Sequence, residues 1–308
     1  MPGLVATTPV LSRDGGSVIL GAEGPERPRE LWHLDTHSRR WTRVTAAPVP
    51  AGPLVAPTLE TFHGEDGLTI TGWLYRAPGA AEPGAAVVHL HGGPEAQERP
   101  TFSAQHQALA AAGVAVFALN IRGSSGFGRE FVHADDLAGR FDAFGDVRAA
   151  AHHLIATGVA DRRRIGVTGR SYGGYLTLAS LAFSPGVFAA GVDVCGMSDL
   201  TRFYEETEPW IGAAAVTKYG HPERDRALLE AISPLRQAEA IDVPLLVVHG
   251  ALDTNVPVGE AHRIVAALHA LGRPVEYLEL PGEGHDYRRA DSRKRLLAAL
   301  VRFLAGHL

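Results

Sequence analysis

The chain has 308 residues, of which 45% are hydrophobic and 20% charged, the profile of one large globular domain or of one domain with a small appendage. Its net charge of −5 leaves no basic excess for nucleic acid or an anionic membrane surface, and no stretch reaches the ~18 uninterrupted apolar residues of a membrane span. The single cysteine, Cys195, excludes an internal disulfide, and with no signal-peptide pattern the sequence predicts a cytoplasmic protein.

The first 57 residues predict a small β-rich segment followed by a linker. Turn residues at 12–16 precede the apolar run 17–20, and a Gly/Pro-rich loop separates that run from the short runs 30–34 and 40–44. Alternation at this spacing is typical of short antiparallel strands. Four prolines between 46 and 57 indicate the linker.

Residues 58–308 predict a different architecture, because apolar runs alternate there with helical stretches. After two strand candidates at 60–63 and 68–75, the predicted core strands are 86–90, 115–120, 165–169, 189–194, 244–249 and 275–279. The predicted helices are 102–112, 144–157, 172–182, 257–271 and 292–307. This alternation predicts a doubly wound, mainly parallel sheet with helices on both faces. The alternation breaks at 199–240, a mostly helical insert that we expect to form a lid or pocket wall.

The segment G-R-S-Y-G at 169–173 matches the nucleophile-elbow pattern G-x-S-x-G. It follows a predicted strand and precedes a predicted helix, so Ser171 lies on a tight strand-to-helix turn. Gly169 and Gly173 leave room for the crowded backbone, and the helix N-terminus favours developing negative charge. This context predicts Ser171 as the nucleophile of an α/β-hydrolase fold.

A serine hydroxyl is a poor nucleophile unless a histidine takes its proton and a carboxylate orients that histidine. In an α/β-hydrolase these partners follow the serine in the order Asp, His, each in a loop after a later strand. Asp253 lies in the loop after the apolar run 244–249, and His285 lies in the loop after 275–279. We therefore expect Ser171, Asp253 and His285 to form a catalytic triad.

An oxyanion hole requires backbone N–H groups aimed at the developing negative oxygen. One donor is expected to be the N–H of Tyr172, the residue after the nucleophile. The other is expected from H-G-G-P at 91–94, which follows the predicted strand 86–90 and resembles the glycine-rich loop of esterases. Glycines in such a loop let the backbone approach the substrate closely.

Taken together, these motifs resemble the catalytic domain of the prolyl oligopeptidase family, nearest to its acylaminoacyl-peptidase and dipeptidyl-peptidase-like branches. The matching stretches are H-G-G-P-E-A-Q (91–97), N-I-R-G-S-S-G-F-G-R-E-F (120–131), G-R-S-Y-G-G-Y (169–175), T-E-P-W (207–210), H-G-A-L-D-T-N-V-P (249–257) and G-E-G-H (282–285). The resemblance implies the same triad and places the second oxyanion donor at the Gly93 N–H. It also implies a change at His91, whose position holds a tyrosine in relatives that use its hydroxyl as a donor.

The resemblance also implies a role for the N-terminal segment. Relatives carry a β-propeller before the hydrolase domain, and residues 11–45 resemble one propeller blade. One blade cannot close a propeller, because its strands lack neighbours on both sides. We expect residues 1–57 to pack against the catalytic domain 58–308 as an edge hairpin or small sheet, or to mediate homo-oligomer formation.

Other residues near the expected site have two interpretations each. Tyr204, Trp210 and Ile211 of the insert are expected either to line an acyl or side-chain pocket or to pack the lid, and His91 is a further pocket candidate. Arg122 follows a strand and is expected either to form a structural salt bridge beneath the site or to contact substrate.

The sequence thus predicts acyl transfer through an acyl-enzyme, with an ester or amide of a small molecule or short peptide as substrate. It predicts no cofactor and no metal. An acyltransferase or cyclase would use the same triad with an amine or hydroxyl in place of water. A non-catalytic binding protein on the same scaffold is a third hypothesis, against which the complete triad argues.

Overall fold

The structure is a computed structural model that describes residues 3–308. The N-terminal part is an antiparallel four-stranded sheet in the order β1-β2-β3-β4. Its strands are β1 (Val5–Leu11), β2 (Ser17–Gly24), β3 (Arg27–Asp35) and β4 (Arg40–Arg43). The small β-rich segment predicted from turn residues and alternation is therefore present, with strands that continue beyond the predicted runs.

Two features of this sheet differ from the prediction. The sequence pattern indicates no strand at β1, whose outward residues are mostly exposed and interrupt the alternation with polar side chains. The pattern also indicates a loop where β2 and β3 continue to a tight turn at Pro25 and Glu26. Both strands are paired up to this turn, and β2 is buried from Leu20 to Gly24, so pairing and burial outweigh the turn preference of glycine there.

An eight-stranded sheet forms the core of the remaining chain, in the order β12-β11-β10-β9-β7-β8-β6-β5. Its strands are β5 (Thr58–His63), β6 (Thr69–Tyr75), β7 (Gly84–Leu90), β8 (Val114–Asn120), β9 (Ala160–Arg170), β10 (Ala190–Val194), β11 (Leu245–Gly250) and β12 (Val275–Leu280). Strand β6 pairs antiparallel with both β5 and β8, and all other neighbours are parallel. The predicted doubly wound, mainly parallel sheet is confirmed.

Helices cover both faces of this sheet. They are α1 (Ala104–Ala111), α2 (Arg129–His133), α3 (Arg140–Ala156), α4 (Tyr172–Phe183), α5 (Leu200–Glu206), α6 (Pro209–Tyr219), α7 (Arg226–Ala231), α8 (Gly259–Ala270) and α9 (Ala290–His307). Helices α3, α4 and α8 share one apolar core with the sheet, and α1 and α9 contribute to a second core on the other face. Within the described residues 3–308, no helix combines the length and the apolarity needed to cross a bilayer. The cytoplasmic location stays a prediction.

Residues 199–240, predicted as a mostly helical insert, contain α5, α6, α7 and a 3-10 segment, Pro234–Ala240. A buried carboxylate, that of Glu260 in α8, fixes the point where the insert begins. Its Oε2 accepts hydrogen bonds from the backbone N–H groups of Ser198 at 2.6 Å and Asp199 at 2.7 Å. Because a buried carboxylate is costly without donors, these bonds hold the start of the insert against α8.

One glutamine of α1 contacts both the N-terminal sheet and the predicted linker. Gln107 is buried, and its Nε2 donates to the carbonyls of Pro25 at 3.0 Å and Val55 at 2.9 Å, while its Oε1 accepts from the Val55 N–H at 2.8 Å. The turn between β2 and β3 is thereby attached to the larger sheet's helical layer. The functional division at residue 57 and self-association through the N-terminal strands stay predictions.

The close approach of α4 to β7 depends on Gly173. A Cβ at this position would lie 2.0 Å from the carbonyl oxygen of Leu90 and 2.9 Å from that of His91, so the backbone would have to move. We predict that Gly173→Ala lowers the free energy of unfolding by about 1–3 kcal/mol or more. Gly306→Ala is the matched control, because a Cβ in that part of α9 meets nothing within 4 Å and should be neutral or stabilising by about 0.5 kcal/mol. Urea unfolding measures both; equal stabilities would refute the close-packing argument.

Candidate active site

Ser171 occupies the turn between the end of β9 and the start of α4. Its backbone has φ of 57°, in the left-handed region that a residue with a Cβ rarely adopts. The neighbouring glycine has no room for a side chain, since a Cβ on Gly169 would lie 2.5 Å from the backbone of Gly173. The strain and the crowding hold the Ser171 side chain at the carboxyl edge of the sheet.

Ser171, His285 and Asp253 lie in one hydrogen-bonded chain. His285 Nδ1 lies 2.8 Å from Asp253 Oδ2 and, because an ionised carboxylate can only accept, this nitrogen carries the proton. His285 Nε2 then has a free lone pair and lies 3.1 Å from Ser171 Oγ, the distance at which the hydroxyl donates to the ring. The structure therefore brings together the three residues predicted as the triad, in the geometry of a base that can take the serine proton.

Backbone N–H groups also hold the side chain of Asp253 in place. Its Oδ1 accepts from the N–H groups of Asn255 and Val256, each at 3.0 Å, which leaves Oδ2 for His285. His249 Nε2 lies 3.6 Å from Asp253 but 2.8 Å from the Val256 carbonyl, to which it donates. Burial lowers the pKa of His249, which keeps this ring neutral. His285 is consequently the base that Asp253 orients.

Cys195 is a neighbour of the triad that the sequence motifs did not identify. Its thiol lies within 4.8 Å of a ligand nitrogen of His285 and of a carboxylate oxygen of Asp253. Burial lowers the pKa of His285, but the hydrogen bond to Asp253, together with the nearby Cys195 sulfur, outweighs burial and raises that pKa above 6.5. Cys195 lies directly after β10, just as Asp253 lies after β11 and His285 after β12. All three therefore lie at the carboxyl edge of the sheet, and this position is the signal that could have identified Cys195 from the sequence.

The two predicted oxyanion donors border the same space as the nucleophile. Tyr172 is the first residue of α4, and the first N–H groups of a helix have no intrahelical partner. The loop 91–94 lies against the elbow, because a Cβ on Gly92 would lie 3.2 Å from the Arg170 carbonyl and 3.7 Å from Ser171 Cβ. Gly93 and Tyr172 both line the cavity in front of Ser171. A substrate carbonyl in this cavity could therefore meet backbone donors from both sides.

A buried ion pair holds the side chain of Tyr172. The guanidinium of Arg140 lies between two aromatic rings, 5.0 Å from the centre of Tyr172 and 4.9 Å from that of Tyr219. It donates to Asp135 Oδ2 at 2.5 Å and to the Tyr172 hydroxyl, which itself lies 3.1 Å from Asp135. Burial raises the pKa of Tyr172 and keeps the phenol neutral. The network thus fixes the first turn of α4, and with it the Tyr172 amide.

The cavity in front of Ser171 has a volume of about 430 Å³ and mostly apolar walls. Its lining residues are Gly92, Gly93, Pro94, Arg170, Ser171, Tyr172, Met197, Phe203, Trp210, Ile211, Ala214, Ala215, Lys218, Tyr219, Asn255, Val256 and His285. Trp210 and Ile211 of the insert therefore lie where the pocket interpretation places them. Trp210 is 67% exposed, so its ring has surface left to cover a substrate.

Two of the predicted pocket residues lie elsewhere. His91 is buried under its own loop, where Nε2 lies 2.8 Å from Ser124 Oγ and Nδ1 lies 2.7 Å from the Gly92 carbonyl. Tyr204 is not among the residues that line the cavity, and its hydroxyl donates to the Gly220 carbonyl at 2.8 Å. In both cases a hydrogen bond within the protein holds the side chain, and neither residue is among those that line this cavity, so the structure does not support the pocket interpretation of these two residues.

Arg122 is the centre of an ion-pair cluster outside the cavity. It is 4% exposed, and its guanidinium donates to both oxygens of Asp146 at 2.8–2.9 Å and to both oxygens of Asp66 at 2.9–3.0 Å. These bonds occupy four of the five N–H donors of the guanidinium. The structure favours the salt-bridge interpretation of Arg122 over substrate contact.

Known proteins are similar to this chain in sequence and in fold. The family model described as the prolyl oligopeptidase family matches residues 100–308. Dipeptidyl aminopeptidase BIII of Pseudoxanthomonas mexicana is 32% identical over 95% of this chain and 45% of its own length. A puromycin-hydrolyzing peptidase of Mycobacterium tuberculosis superimposes with a TM-score of 0.94 at 29% identity, over 100% of this chain and 48% of its own.

An acylaminoacyl peptidase of Pyrococcus horikoshii has the same fold, with a TM-score of 0.87 at 23% identity over 98% of this chain and 48% of its own. The predicted α/β-hydrolase fold and the predicted resemblance are both confirmed. The chain spans about half the length of these relatives.

The environment of His285 predicts a pH dependence for the reactivity of Ser171. His285 must be neutral to accept the serine proton, so the rate of Ser171 labelling by a fluorophosphonate should rise with pH, with a midpoint above 6.5. Since the contact with Cys195 raises that pKa, Cys195→Ala should move the midpoint to lower pH. Cys195→Ser is the control for the loss of volume. A flat profile from about pH 5 to about pH 9 would rule out His285 as the base.

Proposed function

The chain belongs to the prolyl oligopeptidase family, and on this basis we propose that it is a serine hydrolase that cleaves an ester or amide bond of a small molecule or short peptide through an acyl-enzyme on Ser171. One observation carries the proposal, namely the hydrogen-bonded chain from Asp253 through His285 to Ser171, which opens on a cavity. In a structural role the three side chains would not need to meet at one hydroxyl that borders a cavity.

The proposed reaction follows from this geometry. His285 Nε2 takes the proton of Ser171 Oγ as the oxygen attacks the substrate carbonyl carbon. The amides of Tyr172 and Gly93 donate to the resulting oxyanion. The protonated His285 then gives its proton to the leaving amine or alcohol, and the carbon–nitrogen or carbon–oxygen bond breaks. Water attacks the acyl-enzyme with His285 again as base, which releases the acid and restores the hydroxyl.

The cavity walls favour an apolar group on the acyl side of the scissile bond. Apolar or aromatic surface close to Ser171 comes from Phe203, Trp210, Ile211 and Tyr219. The polar side chains among the other lining residues of the insert and the Asp253 loop are Lys218 and Asn255. Desolvation of an apolar acyl side chain against such walls contributes roughly 1–3 kcal/mol. The similar proteins are named for peptides and for puromycin, which supports amides with an aminoacyl group as substrates.

Acyl transfer to an amine or hydroxyl acceptor is the alternative, and it shares every step up to the acyl-enzyme. The two reactions differ only in the nucleophile that releases the acyl group. A product analysis in the presence of an added amine distinguishes them: free acid as the main product supports hydrolysis, and amide as the main product supports the alternative.

Trp210 provides a test of the cavity as the acyl site. We predict that Trp210→Ala lowers kcat/KM for a phenylalanyl p-nitroanilide relative to an alanyl p-nitroanilide by about 10–100-fold, because the large side chain loses an aromatic contact. Labelling of Ser171 by a small fluorophosphonate should change little. Phe127→Ala is the matched control, since Phe127 is an exposed aromatic residue outside the cavity.

An unchanged substrate ratio in Trp210→Ala would contradict the placement of the acyl group in this cavity. Absence of hydrolysis of all aminoacyl amides and p-nitrophenyl esters by the wild-type chain would contradict the proposed function itself. Ser171→Ala is the background measurement in both experiments.

A further inference from the structure

A second cluster of titratable side chains lies outside the active-site cavity. His89 is the sixth residue of β7, Glu98 lies in the loop after the strand, and His106 is in the first turn of α1. One ligand atom of each lies within 4.8 Å of those of the other two. His89 Nε2 is 3.3 Å from Glu98 Oε1, and the two imidazole rings are 4.6 Å apart and nearly perpendicular.

Among the described residues, 3–308, the carboxylate of this cluster forms no ion pair with a lysine or arginine. The Glu98 side chain is 15% exposed, and the ion-pair partner that the described residues provide for it is His89. His106 is 3% exposed, and its Nδ1 is buried without a hydrogen-bond partner. A buried polar group without a partner costs free energy, so the arrangement as it stands is incomplete.

Surrounding residues hold each member of the cluster in place. The backbone of Glu98 is held on both sides by Asn120, whose Oδ1 accepts from Glu98 N–H at 2.7 Å and whose Nδ2 donates to Glu98 C=O at 3.1 Å. Ser103 caps the first turn of α1, because its Oγ accepts a hydrogen bond from the His106 N–H at 3.2 Å. Gln105 Nε2 lies 3.3 Å from His89 Nδ1. Such outer contacts are typical of side chains that are oriented as ligands.

We propose that His89, Glu98 and His106 bind a divalent transition-metal ion, for which Zn²⁺ is the best match. Two imidazoles and one carboxylate are a ligand set that zinc takes, with water in the fourth position, whereas Mg²⁺ and Ca²⁺ prefer oxygen ligands throughout. Zinc–ligand distances of about 2.0–2.2 Å require the three ligand atoms to approach each other slightly, which small side-chain rotations allow. Metal on His89 Nε2 puts the proton on Nδ1, and a flip of the Gln105 amide then lets its oxygen accept that proton.

The bound ion has a structural role. None of the three ligands lines the cavity in front of Ser171, so the ion does not meet the substrate there. Glu98 and Gly93 belong to the same loop, between β7 and α1. A metal ion bound by His89 of β7, Glu98 of the loop and His106 of α1 fixes this loop to the strand before it and the helix after it. It therefore positions the backbone that carries Gly93 without taking part in bond breaking.

The test must distinguish metal binding at this cluster from metal binding at the active site. There Cys195, Asp253 and His285 also bring ligand atoms within 4.8 Å of one another. The full chain, freed of metal with a chelator, is titrated with Zn²⁺ and with Co²⁺, and the bound metal is counted after dialysis. In Cys195→Ala one ion per chain should still bind. Its Co²⁺ spectrum should show d–d bands without a thiolate charge-transfer band, and Zn²⁺ should raise Tm.

Glu98→Gln should weaken Zn²⁺ binding by more than about 100-fold, beyond what the loss of an outer-shell partner costs. Glu279→Gln is the matched control and should leave binding unchanged, since Glu279 pairs with His262 at 2.9 Å on the surface and the described part of the chain offers no third ligand there. If Glu98→Gln does not fold, His106→Gln and His89→Gln are measured in its place. No retained metal in the wild-type chain, or binding that survives loss of these ligands and disappears in Cys195→Ala, would overturn the proposal.

Discussion

The close approach of helix α4 to the carboxyl ends of β7 and β9 is the constraint on which the rest of the site depends. It brings the loop after β7 and the first turn of α4 to opposite sides of Ser171, and it is possible only where side chains are absent. Gly169 and Gly173 meet there with less space than a methyl group needs. The positive φ of Ser171 is the local cost of this packing, and an accessible hydroxyl is its result.

Buried charges then fix the elements that surround the elbow. Arg140 and Asp135 hold the Tyr172 side chain, and Glu260 holds the start of the insert that forms the cavity wall. Arg122 is held by Asp146 and Asp66 in a cluster outside the cavity. Removing one member of such a pair leaves the other buried and uncompensated, which costs several kcal/mol. These pairs keep the walls of the site in a defined position while the cavity itself stays largely apolar.

Much of this architecture could be predicted from the sequence, because its signals are local. Inner strands of parallel sheets are near-continuous apolar runs, and Ser171 and Asp253 follow two of them, while His285 follows the edge strand β12. Their meeting at one edge of the sheet follows from the topology. The sequence could not place His91 or Tyr204, because a hydrogen bond to Ser124 or to Gly220, formed only in the folded chain, decides where each side chain points.

Buried charges and edge strands could not be predicted from the sequence, for related reasons. Arg140 is fully buried, against the usual preference of arginine for the surface, because its partners come from distant segments such as Tyr172 and Tyr219. Strand β1 has few buried residues, so pairing with β2, and not hydrophobic alternation, makes it a strand. Cys195 has a place in the fold that resembles those of the triad residues, but no motif marks it.

The central claim is that Ser171, His285 and Asp253 act as one catalytic unit. The most direct test is to measure kcat for one aminoacyl amide or ester in Ser171→Ala, in His285→Ala and in the double variant. Each single substitution should lower kcat by about 10⁴–10⁶-fold, and the double variant should be little worse than either, because removal of one member already disables the unit. Losses that multiply in the double variant would show that the two residues act independently, and would contradict the account.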